Sequence, residues 1–410
     1  MSGCALHRPN DREPVVITGM AAVSPLGCDV ATILDRLFSG SSGVRRIDVD
    51  ERARTVADQF AAPVAEIPPP PGITAAEFDR LDRLERMCLA PAAGAVADAG
   101  LATGPRVGLV LGLGAEHLKA WELDFLAGGS RVFEPRREPT LVHRLAARLG
   151  IGGPAVTAAA ACASSGYALA LARAWLDAGW VDACVAGGCD ILSPTSIAAF
   201  YNLRALSRRS DDPTKASRPF DRGRDGFVMG EGGAFFVLER RCDAVARGGR
   251  LRGELAGVGM SSDGVHMVTP STDPAQAARA ITAALDDAGI AAADVDYFNA
   301  HAAGTPVGDV AEAGAIRLAC GAAADAIPVS STKSMTGHLV SGAAAFEALA
   351  CLGAIERQAV PPTVNLDDPD PDCPLVHVPH VARPRRVAVA ASNSFGFGGS
   401  NLCLVLRRAA

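Results

Sequence analysis

Gly153-Pro154-Ala155-Val156-Thr157-Ala158-Ala159-Ala160-Ala161-Cys162-Ala163-Ser164-Ser165-Gly166-Tyr167 is the stretch on which the reading of this chain turns. It opens as a short apolar run of the kind that forms a buried strand. Without a Pro or a charge it passes into a helix over 167–176 that is apolar nearly all round, so both elements belong inside a large core. Cys162 stands at the join. A thiol there faces the unpaired N–H groups and the positive end of a buried helix, which favours the thiolate and hence a nucleophile. The alternative is a small buried packing residue, the commoner lot of cysteine. The stretch by itself leaves both open.

The surrounding composition is that of a globular protein. The 410 residues are 49% hydrophobic and 20% charged, enough chain for one large core or two fused ones. A net charge of −6 argues against bulk nucleic-acid binding. No apolar run approaches the roughly 18 residues that span a bilayer. The first nine residues lack the apolar core of a signal peptide. Eleven cysteines, an odd number without a CxxC pair, fit neither a zinc-finger layout nor a disulfide scaffold. They are what a reducing cytoplasm permits, so a cytoplasmic protein is expected.

Along the chain, strands and helices alternate, which is the pattern of a layered α/β fold. Residues 1–13 read as a loose tail and 39–75, rich in Gly, Pro and charge, as an excursion over the surface. Strands are expected at 15–23, 106–114, 182–191 and 232–240, then at 251–259, 295–300, 327–331, 386–391 and 402–406. Helices fit 30–38, 79–99, 274–288, 310–320 and 339–355. Residues 115–150 hold helical pieces and a charged loop at 131–138. The pattern repeats. Strand, small polar turn and buried helix occur at 154–176 and again at 328–355, each followed by a strand with a glycine-rich exit. This implies an internal duplication, with one half over 1–250, a second over 251–410, and a site at their junction.

Several polar groups stand where packing alone would not put them. His301 closes an apolar strand and opens the small-residue loop Ala302-Ala303-Gly304-Thr305; it is either structural or a functional imidazole. Lys333 and His338 precede a nearly uncharged helix. Glu347 lies within that helix among Ala343, Ala344, Phe346, Ala348 and Leu349, and so needs a partner, Lys333 or an ion; a packing or capping role is the alternative. Two neutral imidazoles beside a low-pKa thiol suit one use in particular. The thiolate takes an acyl group, and the imidazole N–H groups hold a second carbonyl oxygen as negative charge develops on it. Lys333 would help to keep both rings uncharged. Asn393-Ser394-Phe395-Gly396-Phe397-Gly398-Gly399-Ser400-Asn401 reads as a glycine loop that allows close approach to substrate and movement of Phe397; an ordinary tight turn is the alternative.

Taken together, these motifs resemble a β-ketoacyl-acyl carrier protein synthase of the elongating type II kind, in the thiolase superfamily. The likeness runs from Val15-Val16-Ile17-Thr18-Gly19-Met20 and Ser24-Pro25-Leu26-Gly27, through Ser217-Arg218-Pro219-Phe220-Asp221, to 393–401. It implies a thiolase-like fold, two pseudo-duplicated α/β halves in five layers, αβαβα, and a dimer, either of identical chains or with a ketosynthase-like partner. It implies a catalytic triad of Cys162, His301 and His338. Cys162 would carry the growing acyl chain, and the histidines would assist decarboxylation of malonyl-acyl carrier protein. Cys162 and Phe397 would supply backbone N–H groups to an oxyanion hole, with Phe397 as gate. Lys333 and Glu347 would support the triad from behind. Thr305 would meet the phosphopantetheine arm that arrives on the carrier protein. No other cofactor is implied, except a monovalent cation at Asn299, Glu347, Ser392 and Asn401.

The chain departs from that family in places. Ala302-Ala303 stand where the family carries Gly-Thr, which removes a hydroxyl that binds the pantetheine arm, and the 115–140 region is short. These changes point to a specialised role, in a type II polyketide pathway rather than fatty-acid synthesis. Other readings are a chain-length-setting partner subunit and an acyltransferase to an oxygen or nitrogen nucleophile without decarboxylation. A degradative thiolase needs a second cysteine in the C-terminal loop, and 393–401 has none. Arg204, Arg208, Arg209, Lys215, Arg218, Arg222 and Arg224 form a basic stretch that either docks an acidic carrier protein or is a solvated loop.

Overall fold

The computed structural model describes residues 12–47, 60–116, 118–129, 139–209 and 211–409, with side chains left aside at 119, 120, 123 and 126. Most of the expected tail (1–11), the middle of the expected excursion (48–59) and the charged loop (131–138) lie outside the described residues. Arg12 and Glu13, at the end of that tail, are anchored: Arg12 pairs with Asp287 and Glu13 accepts the Cys242 N–H.

Short apolar runs make the frame. Among the described residues eleven strands join in one sheet: β1 (Val15–Val23), β2 (Val107–Gly112), β3 (Ala155–Ala158), β4 (Ala183–Asp190), β5 (Gly232–Arg240), β6 (Gly253–Ser262), β7 (Tyr297–Asn299), β8 (Pro328–Ser330), β9 (Val376–His377), β10 (Val389–Gly396) and β11 (Ser400–Arg407). Their order across the sheet is β9-β8-β7-β10-β11-β6-β1-β5-β4-β2-β3. Each half repeats one plan. In the first, β1 is antiparallel to β5, β5 to β4, and β4, β2 and β3 run parallel. In the second, β6 is antiparallel to β11, β11 to β10, and β10, β7 and β8 run parallel. The halves meet where Val16 and Ile17 pair with Glu254 and Gly253.

Side chains alternate across a strand, so each strand feeds two cores. In β5, Ala234, Phe236 and Leu238 enter a central cluster while Phe235 and Val237 enter an outer one. In β11, Leu402, Leu404 and Leu406 enter the same central cluster, while Cys403 and Val405 face a second outer one. Both faces are buried, which is why these strands read as nearly continuous apolar runs. Helices α1 (Arg83–Ala99) and α2 (Leu141–Leu149) cover the first outer face; α4 (Ala275–Ala288) and α5 (Pro306–Cys320) cover the second. Between the half-sheets lie α3 (Ser164–Asp177) and α6 (Ala343–Arg357), which is buried along all but its last two residues. The result is αβαβα, the thiolase-like arrangement. Among the described residues no helix is long and apolar enough to cross a membrane.

The elements match expectation best where periodicity is strongest. The strand at 15–23, the helix at 30–38 and the strand at 232–240 have the expected bounds. The helix expected at 79–99 begins at Arg83, because the Asp82 carboxylate caps it by accepting the Glu85 N–H. The described ends of 39–75 lie mostly on the surface, as expected, but are tied down: the Gly43 N–H bonds the Met335 carbonyl, the Ala62 N–H bonds that of Met229, and Val44 and Ala62 are buried. The helix Pro194–Asn202 was not expected; its start is marked by the capping box of Ser193 and Ser196.

One contact seats the central helix against the sheet. A Cβ on Gly112, at the end of β2, would lie 2.5 Å from the carbonyl carbon of Ser164. Gly112→Ala is therefore expected to lower stability by about 1–3 kcal/mol, because backbone cannot rotate aside as a side chain can. Chemical denaturation measures this, and an unchanged midpoint would show that β2 and α3 can part.

Candidate active site

Cys162 is placed by a strained turn. β3 leads into a single 3-10 turn, Ala161–Ala163, and then directly into α3. Ala161 has φ +49°, which costs a residue with a Cβ, and the Ser164 side chain holds it there. Ser164 Oγ donates to the Ala161 carbonyl at 2.6 Å and accepts the Ala160 N–H at 2.9 Å. Cys162 is 6% exposed, and its own N–H faces its sulfur. The low-pKa thiol expected at a helix start is not what the resting site holds. Burial pushes Cys162 up to about 12, Lys333 pulls it down less, and Asp190 and Glu347 push it further up. Losing water outweighs the helix end.

The second half supplies the imidazoles. His301 follows β7 and His338 follows the short helix Lys333–Thr336. Their rings are 5.3 Å apart at 85°. Burial first, then the Lys333 charge, holds both well below the usual histidine range, so both are neutral. Each Nδ1 is buried without a hydrogen-bond partner, so there is no acceptor for a proton there. The Lys333 ammonium is paired with the Glu347 carboxylate, both side chains being 2% exposed. Burial raises Glu347 to about 7 against the pull of Lys333, and Ser394 Oγ donates to it at 3.4 Å.

The glycine-rich 393–401 stretch is mostly strand. Gly396 pairs with Ser400, which leaves Phe397-Gly398-Gly399 as a three-residue hairpin turn. A Cβ on Gly396 would lie 2.5 Å from the Ala160 carbonyl oxygen and 3.4 Å from the Cys162 nitrogen, so only glycine brings this turn against the thiol. The Phe397 ring rests on Phe200, with centroids 5.9 Å apart. Cys162, His301, His338, Phe397, Thr305 and Ala303 line one cavity of about 350 Å³. Thr305 starts α5 but does not cap it with its side chain, which leaves its hydroxyl free for the cavity. Ala303 adds apolar wall beside Ile197, Phe227 and Met229.

The proposed cation ligands separate into two places. Asn299 pairs in register with Ser392. The Asn299 Oδ1 is buried without a hydrogen-bond partner, and the buried Ser392 Oγ faces the Cys351 thiol of α6. Such oxygen donors fit a hard cation. Asn401 is elsewhere: its Nδ2 donates to Asp263 at 2.7 Å at the cavity mouth. Among the described residues no three His, Cys, Asp or Glu side chains are grouped to hold a metal ion.

Two carboxylates of α5 escaped the sequence reading. Glu312 accepts the N–H groups of His301 at 2.8 Å and Ala302 at 2.7 Å, and the Asn393 amide at 3.0 Å. Asp309 accepts the N–H groups of Phe220, Gly304 and Thr305. Burial raises Glu312 to about 7 and Asp309 to about 6. Both are acids on an apolar helix, the signal that picked out Glu347. The basic stretch also divides. Arg218 and Arg224 are buried in ion pairs with Asp221, Asp367, Asp309 and Asp370, while Arg204 and Arg208 are exposed.

Two outcomes are expected from this geometry. A thiol at about 12 is almost wholly protonated from pH 7 to 10, so its thiolate fraction rises about tenfold per pH unit there. Alkylation of Cys162 by iodoacetamide, followed by peptide mass spectrometry, should climb with that slope; a plateau near pH 7 would show a thiolate–imidazolium pair instead. Lys333→Met, which strands the Glu347 carboxylate, should cost about 3–5 kcal/mol, and Lys333→Met with Glu347→Leu should recover most of it in a denaturation series.

Comparison with known proteins agrees with this geometry. The sequence pattern described as Beta-ketoacyl synthase, N-terminal domain, matches residues 12–244, and that described as Beta-ketoacyl synthase, C-terminal domain, matches 252–367. A 3-oxoacyl-[acyl-carrier-protein] synthase 2 from Synechocystis sp. is 38% identical over 97% of this chain and 99% of its own length. A putative polyketide beta-ketoacyl synthase 1 from Streptomyces cyaneus is 37% identical over 96% of this chain and 97% of its own. Among solved structures, the ketosynthase complex AntDE:AntF, a type II polyketide acyl-carrier protein with its ketosynthase bound to the hexaketide, superposes with a TM-score of 0.86 at 29% identity, over 97% of this chain and 100% of the other. Matched over nearly its whole length, and with a thiol and two neutral imidazoles converging on one cavity, the chain belongs to the β-ketoacyl synthase family.

Proposed function

We propose that this chain is a 3-oxoacyl-[acyl-carrier-protein] synthase that joins an acyl group held on Cys162 to the two-carbon unit of malonyl-acyl carrier protein, in a type II polyketide or fatty-acid pathway. The observation that carries the reading is the pair of neutral histidines beside one buried thiol. In the first half-reaction the thiol attacks the acyl thioester of the carrier. Its proton ends on the departing carrier sulfur, and no free thiolate forms at rest, where burial disfavours it. The N–H groups of Cys162 and Phe397 hold the oxyanion, the carrier thiol leaves with a proton, and Cys162 is acylated. In the second half-reaction malonyl-carrier enters past Phe397. Its carboxylate leaves as carbon dioxide while the Nε2–H groups of His301 and His338 hold the enolate oxygen. The enolate carbon attacks the acyl-Cys162 carbonyl, the Cys162 sulfur leaves as thiolate and takes one proton from solvent, and the 3-oxoacyl-carrier is released. An uncharged imidazole pair suits this step: an imidazolium would protonate the carbanion that must form the bond. Thr305 holds the pantetheine arm, with Ala303 giving an apolar contact in place of a hydroxyl. Asn299 and Ser392, beside Glu347, would hold a monovalent cation, which would add positive charge behind the site.

The proposal extends to partners and place. Asn401, tied to Asp263, is assigned to the mouth rather than to the cation. A carrier protein would dock at the mouth, where exposed Arg204 and Arg208 lie with Tyr201 and Leu203. Dimerisation, with an identical or a ketosynthase-like chain, would use the terminal strand β3, which leads straight to Cys162. The division near residue 250 and a cytoplasmic setting, in which the ten described free cysteines stay reduced, belong to the same reading.

Mass spectrometry tests it directly. Incubation with acyl-carrier protein should add the acyl mass to Cys162, and malonyl-carrier protein should then discharge it with release of carbon dioxide. Discharge only by an alcohol or amine would favour simple acyl transfer, and no adduct would sink the catalytic reading in favour of a partner subunit. His301→Ala or His338→Ala should each slow condensation about 10²–10³-fold. Arg208→Glu with Arg209→Glu should raise KM for carrier-bound substrate several-fold, more so at low salt, with kcat kept.

A further inference from the structure

One segment of the first half touches both loops that carry the catalytic histidines. Residues 217–230 lead from the basic stretch to β5, and they reach the catalytic loops through hydrogen bonds to main-chain groups and one ring contact. The Ser217 hydroxyl donates to the Lys333 carbonyl at 2.6 Å. The Gly226 N–H donates to the Gly304 carbonyl at 3.0 Å. The His338 N–H donates to the Val228 carbonyl at 2.7 Å, and the Gly230 N–H returns to the His338 carbonyl at 2.9 Å. The Phe227 ring stands edge-on to the His338 ring at 5.3 Å. Among the described residues this strap makes no hydrogen bond to 160–164, the turn that carries Cys162.

Arg224 is the point at which the strap grips. It is 8% exposed. Its Nε donates to the Thr305 carbonyl at 3.1 Å and its Nη2 to the Pro306 carbonyl at 2.9 Å. Its Nη1 donates to the Asp221 carbonyl at 2.9 Å and to the Asp370 carboxylate at 2.5 Å. One guanidinium thus holds the loop that runs from His301 to Thr305, the strap itself, and the 365–373 segment. The backbone beside it is strained: Phe220 is buried at φ +63°, and its N–H is spent on Asp309 at the start of α5. A bulky residue is kept in that conformation only where its surroundings over-determine it. A guanidinium can bind two neighbouring carbonyls as a rigid fork; an ammonium at the same place cannot.

We propose that Arg224 is a positioning residue for condensation: through the strap at 217–230 it fixes the His301–Thr305 loop against His338, and it leaves the acylation of Cys162 untouched. This rests on the function proposed above. Since an error of about 1 Å in such a constellation costs about 10²-fold in rate, loosening the grip should slow one half-reaction and spare the other.

The test uses the full chain and follows both half-reactions. Arg224→Lys keeps the charge and loses the fork; Ser217→Ala removes the hydroxyl that holds Lys333 and perturbs the fold less. For Arg224→Lys, the rate of acyl transfer to Cys162 at saturating acyl-carrier protein should stay within about twofold of wild type, while kcat for carbon dioxide release and condensation falls about 10²-fold. Ser217→Ala should show the same split at about tenfold. Circular dichroism and the thermal midpoint establish that each variant is folded, and Ser217→Ala decides the matter if Arg224→Lys is not. Equal loss of both half-reactions, or loss of neither, overturns the proposal. A wild-type protein that acylates Cys162 but releases no carbon dioxide overturns the proposed function and this inference with it; a competent wild type beside an equally competent Arg224→Lys overturns this inference alone.

Discussion

The approach of the Gly396 backbone to Ala160 and Cys162 is the contact on which the site depends. It is a contact between halves. β3 and α3 come from the first, β10 and β11 from the second, and nothing larger than a hydrogen on Gly396 fits between them. The thiol therefore stands directly under the turn that carries Phe397. This closeness is possible because the two half-sheets share one apolar layer. Leu238 and Leu404 enter the same cluster from the two half-sheets, with Phe346 and Leu169 from the helices between. A protein interior packed to that density leaves little slack, so the halves are held in register wherever the central helices are. The cavity then follows as what remains between the helix start bearing Cys162 and the two strand exits bearing His301 and Phe397.

Within that layer, loss of water governs the electrostatics. Burial is the leading influence on the thiol, on both imidazoles and on Glu347, and in every case it favours the uncharged form. Lys333 is the nearby cation and it is matched by Glu347. A lone buried ammonium would be costly, and the pair keeps it tolerable. Its field falls on both histidines and reinforces their neutrality. The thiol and both rings thus rest uncharged. Charge appears only when substrate brings it, first as a thioester oxygen and then as an enolate. Donors already in place stabilise such charge without reorganising.

Much of this architecture is legible in the residues. β1, the helix 30–38 and β5 have the bounds their periodicity predicts, because each is long, regular and closed by turn residues. Cys162, His301, His338, Lys333 and Glu347 stood out as polar groups in apolar surroundings, and burial is what such surroundings mean. Reading went astray where a local signal was overruled by something distant. The glycines at 396, 398 and 399 look like a mobile loop, but Gly396 is strand, paired with Ser400 and pressed on Ala160. Arg218 and Arg224 look like solvated charge, but besides the local Asp221 their acidic partners lie roughly 85 to 150 residues away in sequence, in Asp309, Asp367 and Asp370.

By itself, then, the chain of residue types determined the layered α/β class, the duplication and the chemistry of a thiol with two imidazoles. These follow from periodicity and from polar residues set in apolar runs, both of which are local properties. Tertiary structure alone decided the protonation of Cys162, the union of Lys333 with Glu347, and the grip of the 217–230 strap on the catalytic loops. The physical reason is that a pKa depends on how completely water is excluded, and a buried ion pair on what lies across the gap. Neither quantity exists until the two halves have closed on one another.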